Sequence, residues 1–225
     1  MFNDIASDYD ALNHIMSLNV DKSWRRRALR RILSTDYPQQ IMDLACGTGD
    51  FSIAIAEKMP DGSHVTGVDL SEGMLEVMRR KIAERKLESK IDIRIGEGES
   101  LDFADCSFDA VTIAFGIRNF ENREQSLREI LRVLNHGGSL VILELSEPSC
   151  PIIRWFYNIY FTKLMPLIGK KVSGNGSAYS YLPASVISFP KKDEWMATMR
   201  ECGFTDVRHK AFSLGICRMY SGRKL

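Results

Sequence analysis

The amino-acid sequence predicts an α/β fold: a doubly wound, mostly parallel, seven-stranded sheet with an antiparallel C-terminal hairpin, N-terminal helices and a helical insertion. Three observations lead there. An apolar run, Ile41 to Ala45, feeds into two glycines, Gly47 and Gly49, and a helical pattern begins directly after them. About 20 residues on, a second apolar run, Val65 to Val68, ends in Asp69. Strand, glycine turn, helix, strand and terminal acid make a nucleoside-binding half-sheet. Strand and helix patterns then alternate as far as Leu145, which calls for parallel strands with helices on both faces.

The elements follow in order. Residues 1–36 read as helical, in segments Asp8–Met16 and Lys22–Leu33, with Asn19 and Asp21 as turn and cap between them. Strand Gln40–Ala45 leads to helix Asp50–Met59, whose Phe51, Ala54 and Ile55 share a face, and Pro60-Asp-Gly62 stops it. After strand His64–Asp69, Ser71 caps a helix with apolar face Met74, Leu75, Met78 and Ile82. Strands Ile91–Ile95 and Phe108–Ala114 come next. Leu127, Ile130, Leu131 and Leu134 mark a helix that Asn135-His-Gly-Gly138 ends, before strand Ser139–Leu145. Helix Lys192–Cys202 leads through Gly203 to strands Phe204–Ala211 and Ile216–Gly222. Their connection is too short for a crossover, so the pair is antiparallel. Between them, residues 147–190 break the alternation with Trp155, Phe156, Tyr157, Tyr160 and Phe161, then a glycine-rich loop, Gly169 to Gly176. So apolar a segment at the end of a strand reads as a helical lid or an interface, with simple packing on the sheet as the equal alternative; a homodimer is among the partners expected. The organisation expected is one domain, 1–225: an N-terminal helical lid (1–36), a cofactor-binding core (37–146), a substrate-side insertion (147–190) and a C-terminal helix with edge hairpin (191–225).

Composition narrows the class. The 225 residues are 44% hydrophobic and 26% charged, as in a globular domain with a sizeable core. A net charge of +1 supplies no general attraction for nucleic acid. No apolar run reaches the roughly 20 residues of a membrane span, and the start of the chain has no leader pattern. The five cysteines are odd in number and widely spaced, and the four histidines are scattered. Free thiols in a reduced, cytoplasmic setting are expected, with neither disulfides nor a zinc site.

The turn itself points to a ligand. A dinucleotide site wants Gly or Ala at the third motif position, where Ser52 stands. Asp50 at the helix start is a poor neighbour for a pyrophosphate. Two acids at the turn, Asp43 and Asp50, and a third at Asp69 suit a ligand with a cationic amino acid part and a ribose. S-adenosylmethionine is such a ligand, with Asp69 accepting hydrogen bonds from the ribose diol.

The segment Asp43-Leu-Ala-Cys-Gly-Thr-Gly49 resembles the first motif of class I S-adenosylmethionine-dependent methyltransferases, a Rossmann-like family. Tyr9-Asp-Ala-Leu-Asn-His-Ile-Met-Ser17, continuing to Asp21-Lys-Ser-Trp24, resembles the N-terminal signature of the quinone C-methyltransferases of menaquinone and ubiquinone synthesis. Arg132 to Ser146 resembles their second signature, and Phe115-Gly-Ile-Arg-Asn119 and Tyr179 to Ser185 are similar to theirs. The resemblance covers nearly the whole chain. Asp21 stands where the family often has His, and Asn135-His136 where Lys or Arg then Pro is usual. It implies methylation of a ring carbon of a prenylated quinol, demethylmenaquinol first and the benzoquinol of ubiquinone synthesis as the alternative, with S-adenosylmethionine and no metal. By position it implies cofactor contacts at Asp43, Gly47, Thr48, Gly49, Asp69, Glu97, Gly98 and Ala114. At Ala114, where Ser is common, only a backbone contact can remain.

The chemistry needs a phenol-like group, of unperturbed pKa about 10, to lose its proton so that the ring carbon becomes nucleophilic. Positioning and stabilisation of the developing phenolate are then the enzyme's task. Arg118 and Asn119, at the end of the fourth strand, are the candidates for it. Tyr9 and His14 on the N-terminal segment, or a water held by Arg118, are candidate proton acceptors, with His14 read as structural. The basic run Arg25–Arg31 reads first as a solvated helix face. With the aromatic segment it also suits transient docking on a membrane surface, so that the enzyme is cytoplasmic with peripheral contact. A nicotinamide oxidoreductase and an RNA methyltransferase are the rival classes; Ser52 and the near-zero charge count against them.

Overall fold

The computed structural model describes residues 19–33, 36–148, 150–159 and 184–225. The expected helix Asp8–Met16, with Tyr9 and His14, lies outside them, as do Tyr160, Phe161, the loop 169–176 and Tyr179–Pro183. In chain order the main elements are α1 (Asp21–Ile32), β1 (Gln40–Leu44), α2 (Asp50–Ala56), β2 (His64–Asp69), α3 (Glu72–Arg85), β3 (Ile91–Ile95) and β4 (Phe108–Ala114). A 3-10 turn (Ile117–Asn119) leads to α4 (Arg123–Val133), β5 (Leu134–Leu145) and α5 (Pro151–Ile159). α6 (Lys192–Glu201), β6 (Thr205–Phe212) and β7 (Cys217–Arg223) close the chain.

The strands form one seven-stranded sheet in the order β3-β2-β1-β4-β5-β7-β6. The first four pairings are parallel, and β7 runs antiparallel to both β5 and β6. Strand order reverses between β1 and β4, where a crevice opens at the C-terminal ends of an open sheet. Alternation sorts the strand side chains to two cores. Ile41, Val141 and Leu143 meet α1, α2 and α3 on one face; Met42, Leu44, Leu140 and Ile142 meet α4 and α6 on the other.

Several strand and helix readings shift by position. Asn19 is the expected turn, with φ 60°, but Asp21 does not cap α1. It is the first helical residue and binds Arg25 one turn on at 2.8 Å, favourable to an acid at the positive end of a helix. Ala45 leaves β1 because its φ of 56° is left-handed. Helix α2 stops at Ala56, three residues early. Asn135–Gly138 does not end a helix. Leu134 is already extended after α4, and these residues form a bulge in β5, between the pairs Phe108–Leu134 and Ala110–Ser139. Tertiary partners hold the bulge: Asn135 Nδ2 donates to Asp109 at 2.8 Å, and Gly137 and Gly138 bond to Lys224 near the chain's end. The cap on α3 is as expected, with Ser71 Oγ accepting from Met74 N–H at 3.3 Å. Among the described residues, no helix is long and apolar enough to cross a membrane.

Candidate active site

The two central strands end side by side in strained residues. Ala45 after β1 has φ 56° and Phe115 after β4 has φ 64°. Such conformations in residues with side chains persist where the surroundings enforce them. Gly116 fits between, because a Cβ there would come to 2.6 Å of the Ala45 Cβ. The chain therefore leaves both strands abruptly and opens the crevice above Ala45 and Ala114.

The glycine turn follows Ala45. Gly49 must be glycine: its φ is 82°, and a Cβ would strike the Met78 side chain of α3. At Gly47, by contrast, a Cβ would meet nothing within 4 Å, so the turn's outer side is open. Asp69 ties this turn to the next. Its Oδ2 accepts Gly47 N–H at 2.8 Å and its Oδ1 accepts Ser71 N–H at 2.9 Å. Burial pushes its pKa up, while the Ser71, Gly47 and Leu70 amides hold it down. Beside it, Leu70 and Ile95 are exposed by 67% and 62%, an apolar wall next to an acceptor. The residues present fit a nucleoside on these terms: open glycine backbone, a carboxylate for a diol, apolar surface for a base. Glu97 and Gly98 lie just past β3, where Gly96 N–H bonds to Asp69 O at 3.1 Å. Gly98 is buried against Phe120, which joins this loop to the end of β4. Thr48 is buried within the turn, and Ala114 is half-buried at the end of β4.

Asp43 and Asp50 both have partners within the protein. Asp43 is 1% exposed. Its two oxygens accept from Ser52 Oγ at 2.5 Å and Thr112 Oγ1 at 2.8 Å, so it braces the turn from beneath. That is the use of Ser52, the residue read as spoiling a dinucleotide motif. Burial lifts the Asp43 pKa to about 6; the two hydroxyls and Arg25 oppose the shift, and Asp69 adds to it. Asp50 is paired with Lys81 at 2.8 Å and with Arg25 at 3.3 Å. Its charge is neutralised by the protein, which corrects the reading of Asp50 as negative charge held for a ligand. Arg25 in turn lies 5.6 Å from the Phe115 ring centroid, and Trp24 packs on the same ring at 6.1 Å. Helix α1 is thereby fastened to Phe115 at the end of β4 and to Asp50 at the start of α2.

Arg118 and Asn119 sit in the 3-10 turn after β4, at the rim of the crevice. Arg118 is 7% exposed and not on the surface. Its Nη1 donates to Glu144 Oε1 at 2.7 Å and to the Phe115 carbonyl. Asn119 is half-buried. Two neighbours of Arg118 were missed in the sequence, Glu144 and Tyr157. A lone acid in the apolar stretch Leu140–Leu145 was a signal for the first. For Tyr157, on α5, there was only its place among other aromatics. It is 7% exposed, and burial pushes its phenol well up, with Glu147 and Glu144 adding and Arg118 opposing. It therefore stays protonated, a donor and not a base. Among the described residues, no group of three or more His, Cys, Asp or Glu is placed to hold a metal ion.

The reversed strand order, the antiparallel β7 and the glycine turn bridged to Asp69 define a class I methyltransferase fold. A solved structure of Haemonchus contortus phosphoethanolamine N-methyltransferase 2, in complex with S-adenosyl-L-methionine, has this fold: TM-score 0.65 at 16% identity, covering 90% of this chain and 52% of that one. The chain belongs to the ubiE/COQ5 methyltransferase family, which it matches over residues 1–224. It is 43% identical over 224 residues to the ubiquinone/menaquinone biosynthesis C-methyltransferase UbiE of Geotalea daltonii, covering 100% of this chain and 94% of the relative. To the demethylmenaquinone methyltransferase of Bacteroides fragilis it is 44% identical over 225 residues, covering 100% of this chain and 91% of the relative.

Proposed function

We propose that this methyltransferase methylates a ring carbon of demethylmenaquinol, using S-adenosylmethionine. The observation that carries the reading is the full-length similarity to relatives named for this reaction, at 43–44% identity. S-adenosylmethionine supplies a methyl group already activated on a sulfonium. Asp69 would accept from its ribose hydroxyls, Leu70, Ile95, Glu97 and Gly98 would hold its adenine, and the Gly47–Gly49 backbone with Thr48 would receive its amino acid part. Asp43 holds that turn in shape from below. Arg118 and Asn119 face the phenolic oxygen of the quinol and stabilise the negative charge that grows on it. Tyr157, kept neutral by burial, adds a hydrogen-bond donor beside them. The phenol gives up its proton, for which Tyr9 is the candidate acceptor; the ring carbon would bond the methyl group as the methyl–sulfur bond breaks to leave a thioether. Loss of the carbon's hydrogen with reprotonation of the oxygen restores the quinol, one proton being released overall.

A prenylated substrate resides in a bilayer, and the protein's surface suits contact with one. Lys22, Arg26 and Arg30 line the exposed side of α1 at helical spacing. Ile152, Trp155 and Leu214 are exposed by 70%, 59% and 74%. The Leu214 turn is joined to α1 through Trp24 Nε1 and Ser213 Oγ at 3.0 Å. Peripheral docking on an anionic leaflet belongs to this reading.

Transfer of labelled methyl from S-adenosylmethionine to demethylmenaquinol is the direct test; no product with it or with the benzoquinol overturns the reading. Arg118→Ala is expected to bind S-adenosylhomocysteine as the parent does and to lose turnover at least 100-fold, in the range of lost oxyanion donors. Unchanged turnover removes Arg118 from the chemistry.

A further inference from the structure

The 3-10 turn that carries Arg118 and Asn119 is three residues long and is held from outside itself. Two side chains, Glu144 and Arg123, supply that hold. Glu144, near the end of β5, is 0% exposed. Its Oε2 accepts Arg118 N–H at 3.1 Å, and its Oε1 accepts both Arg118 Nη1 at 2.7 Å and Leu145 N–H at 2.8 Å. From the far side, Arg123 Nη2 donates to Arg118 O at 2.7 Å, and Arg123 Nε donates to Ile117 O at 3.3 Å. Backbone amide, backbone carbonyl and guanidinium of Arg118 are all fixed.

A buried ion pair is a poor choice for stability alone, because desolvation offsets its attraction and an apolar pair of similar volume does as well or better. Glu144 follows Leu140, Val141, Ile142 and Leu143, all buried, so apolar residues already hold this strand in the sheet. The charge is placed at the strand's site end, against the cation proposed to face the phenolate. We infer that Glu144 is a positioning residue for methyl transfer. It fixes the Arg118 guanidinium at one point of the rim, and its negative charge tempers the pull of Arg118 on the substrate's phenolic proton. This rests on the proposed role of Arg118. It adds a carboxylate on another strand, 26 residues away, that acts only through Arg118.

Two consequences follow and they are separable. Loss of position lowers kcat. Loss of the negative charge leaves Arg118 uncompensated, stabilises the phenolate and moves the acid limb of the pH–rate profile downward. The test compares Glu144→Gln, Glu144→Asp, Arg118→Ala and the double variant Glu144→Gln/Arg118→Ala. The readouts are kcat and KM for demethylmenaquinol, the pH profile, the melting temperature and calorimetric Kd for S-adenosylhomocysteine. Glu144→Gln is expected to lower kcat at least tenfold, with the acid limb shifted down and Kd within twofold of the parent. Glu144→Asp keeps the charge but is one methylene short, so its kcat falls while its profile stays in place. In the double variant kcat equals that of Arg118→Ala, because the two residues act as one unit. Parental kcat and profile in both Glu144 variants overturn the inference, as does an effect that multiplies in full with Arg118→Ala. If Glu144→Gln does not fold, the Asp variant decides: a shifted acid limb there overturns the inference. Full turnover by Arg118→Ala overturns the reading of Arg118 and this inference with it. Loss of turnover in Arg118→Ala with parental Glu144 variants overturns this inference alone.

Discussion

Asp43, buried near the end of β1, and Asp69, half-buried at the end of β2, are both carboxylates beside the glycine turn, yet they do different work. Asp69 uses each oxygen on a backbone amide, of Gly47 and Ser71, and so sets the distance between two loops. Removing it costs a charged acceptor, worth about 1.5–3 kcal/mol. Asp69→Ala is expected to raise the Kd for S-adenosylhomocysteine by roughly 10- to 100-fold in calorimetry. Ser71→Ala, which loses a cap worth about 1 kcal/mol, should leave that Kd nearly as it was. Equal Kd values for both variants count against the role of Asp69.

Asp43 has a signature in stability. Folding raises its pKa from 3.8 to about 6, so the folded state holds this proton more tightly than the unfolded one. Its contribution is fully present below pH 3.8 and is lost as pH rises to about 6, after which the loss is constant. The shift corresponds to about 3 kcal/mol. Asp43→Asn cannot titrate. Relative to the parent, its unfolding free energy should therefore gain about 2 kcal/mol between pH 4 and pH 7.5, measured by urea denaturation at each pH. A pH-independent difference between the two proteins refutes this account.

At the scale of elements, α1 is the piece whose role was least visible. Its amphipathic face, Trp24, Ala28, Leu29 and Ile32, is ordinary packing. Its N-terminal half does more, because Trp24 reaches both the Phe115 ring and Ser213, and Arg25 reaches Asp50. The helix thus bridges three loops of the crevice rim. Trp24→Ala is expected to destabilise the protein by about 3–5 kcal/mol, as for other buried large-to-small changes. It should also speed amide exchange in residues 21–32 and 213–216 while leaving β3 unaffected. Exchange that rises evenly across the sheet would mean the helix is packing alone. The strands were the more legible elements. β2, β3 and β4 end where alternation placed them, because an apolar strand between turn residues is a local signal. The bulge at Asn135–Gly138 was not, since what stabilises it is Asp109 and Lys224, far along the chain.

For the whole molecule, charge is a matter of arrangement. A net charge of +1 conceals a helix with Lys22, Arg26 and Arg30 exposed along one side. The protein should float with vesicles of phosphatidylcholine and phosphatidylglycerol at low salt and release at high salt. It should not float with phosphatidylcholine alone. Charge reversal at Lys22 and Arg26 together should abolish flotation without lowering the melting temperature. Flotation that ignores both lipid charge and salt overturns electrostatic docking, and a second copy seated on this face would show as a dimer in sedimentation.

The fold class, the glycine turn with its terminal acid, and the family signatures were determined by the sequence alone, because periodicity, turn chemistry and motif spacing are properties of neighbours along the chain. The candidate residues Asp69, Gly47, Gly49, Glu97, Gly98 and Arg118 were named that way, and they lie at or just past the C-terminal ends of β1, β2, β3 and β4. Their partners were decided only by tertiary structure. Ser52 looked like a broken motif and is a donor to Asp43. Asp50 looked like charge for a ligand and is neutralised by Lys81, 31 residues on. Arg118 looked like a rim cation and is locked to Glu144. A side chain's charge can be read from its letter, but whether another charge already satisfies it depends on which strands the fold sets side by side.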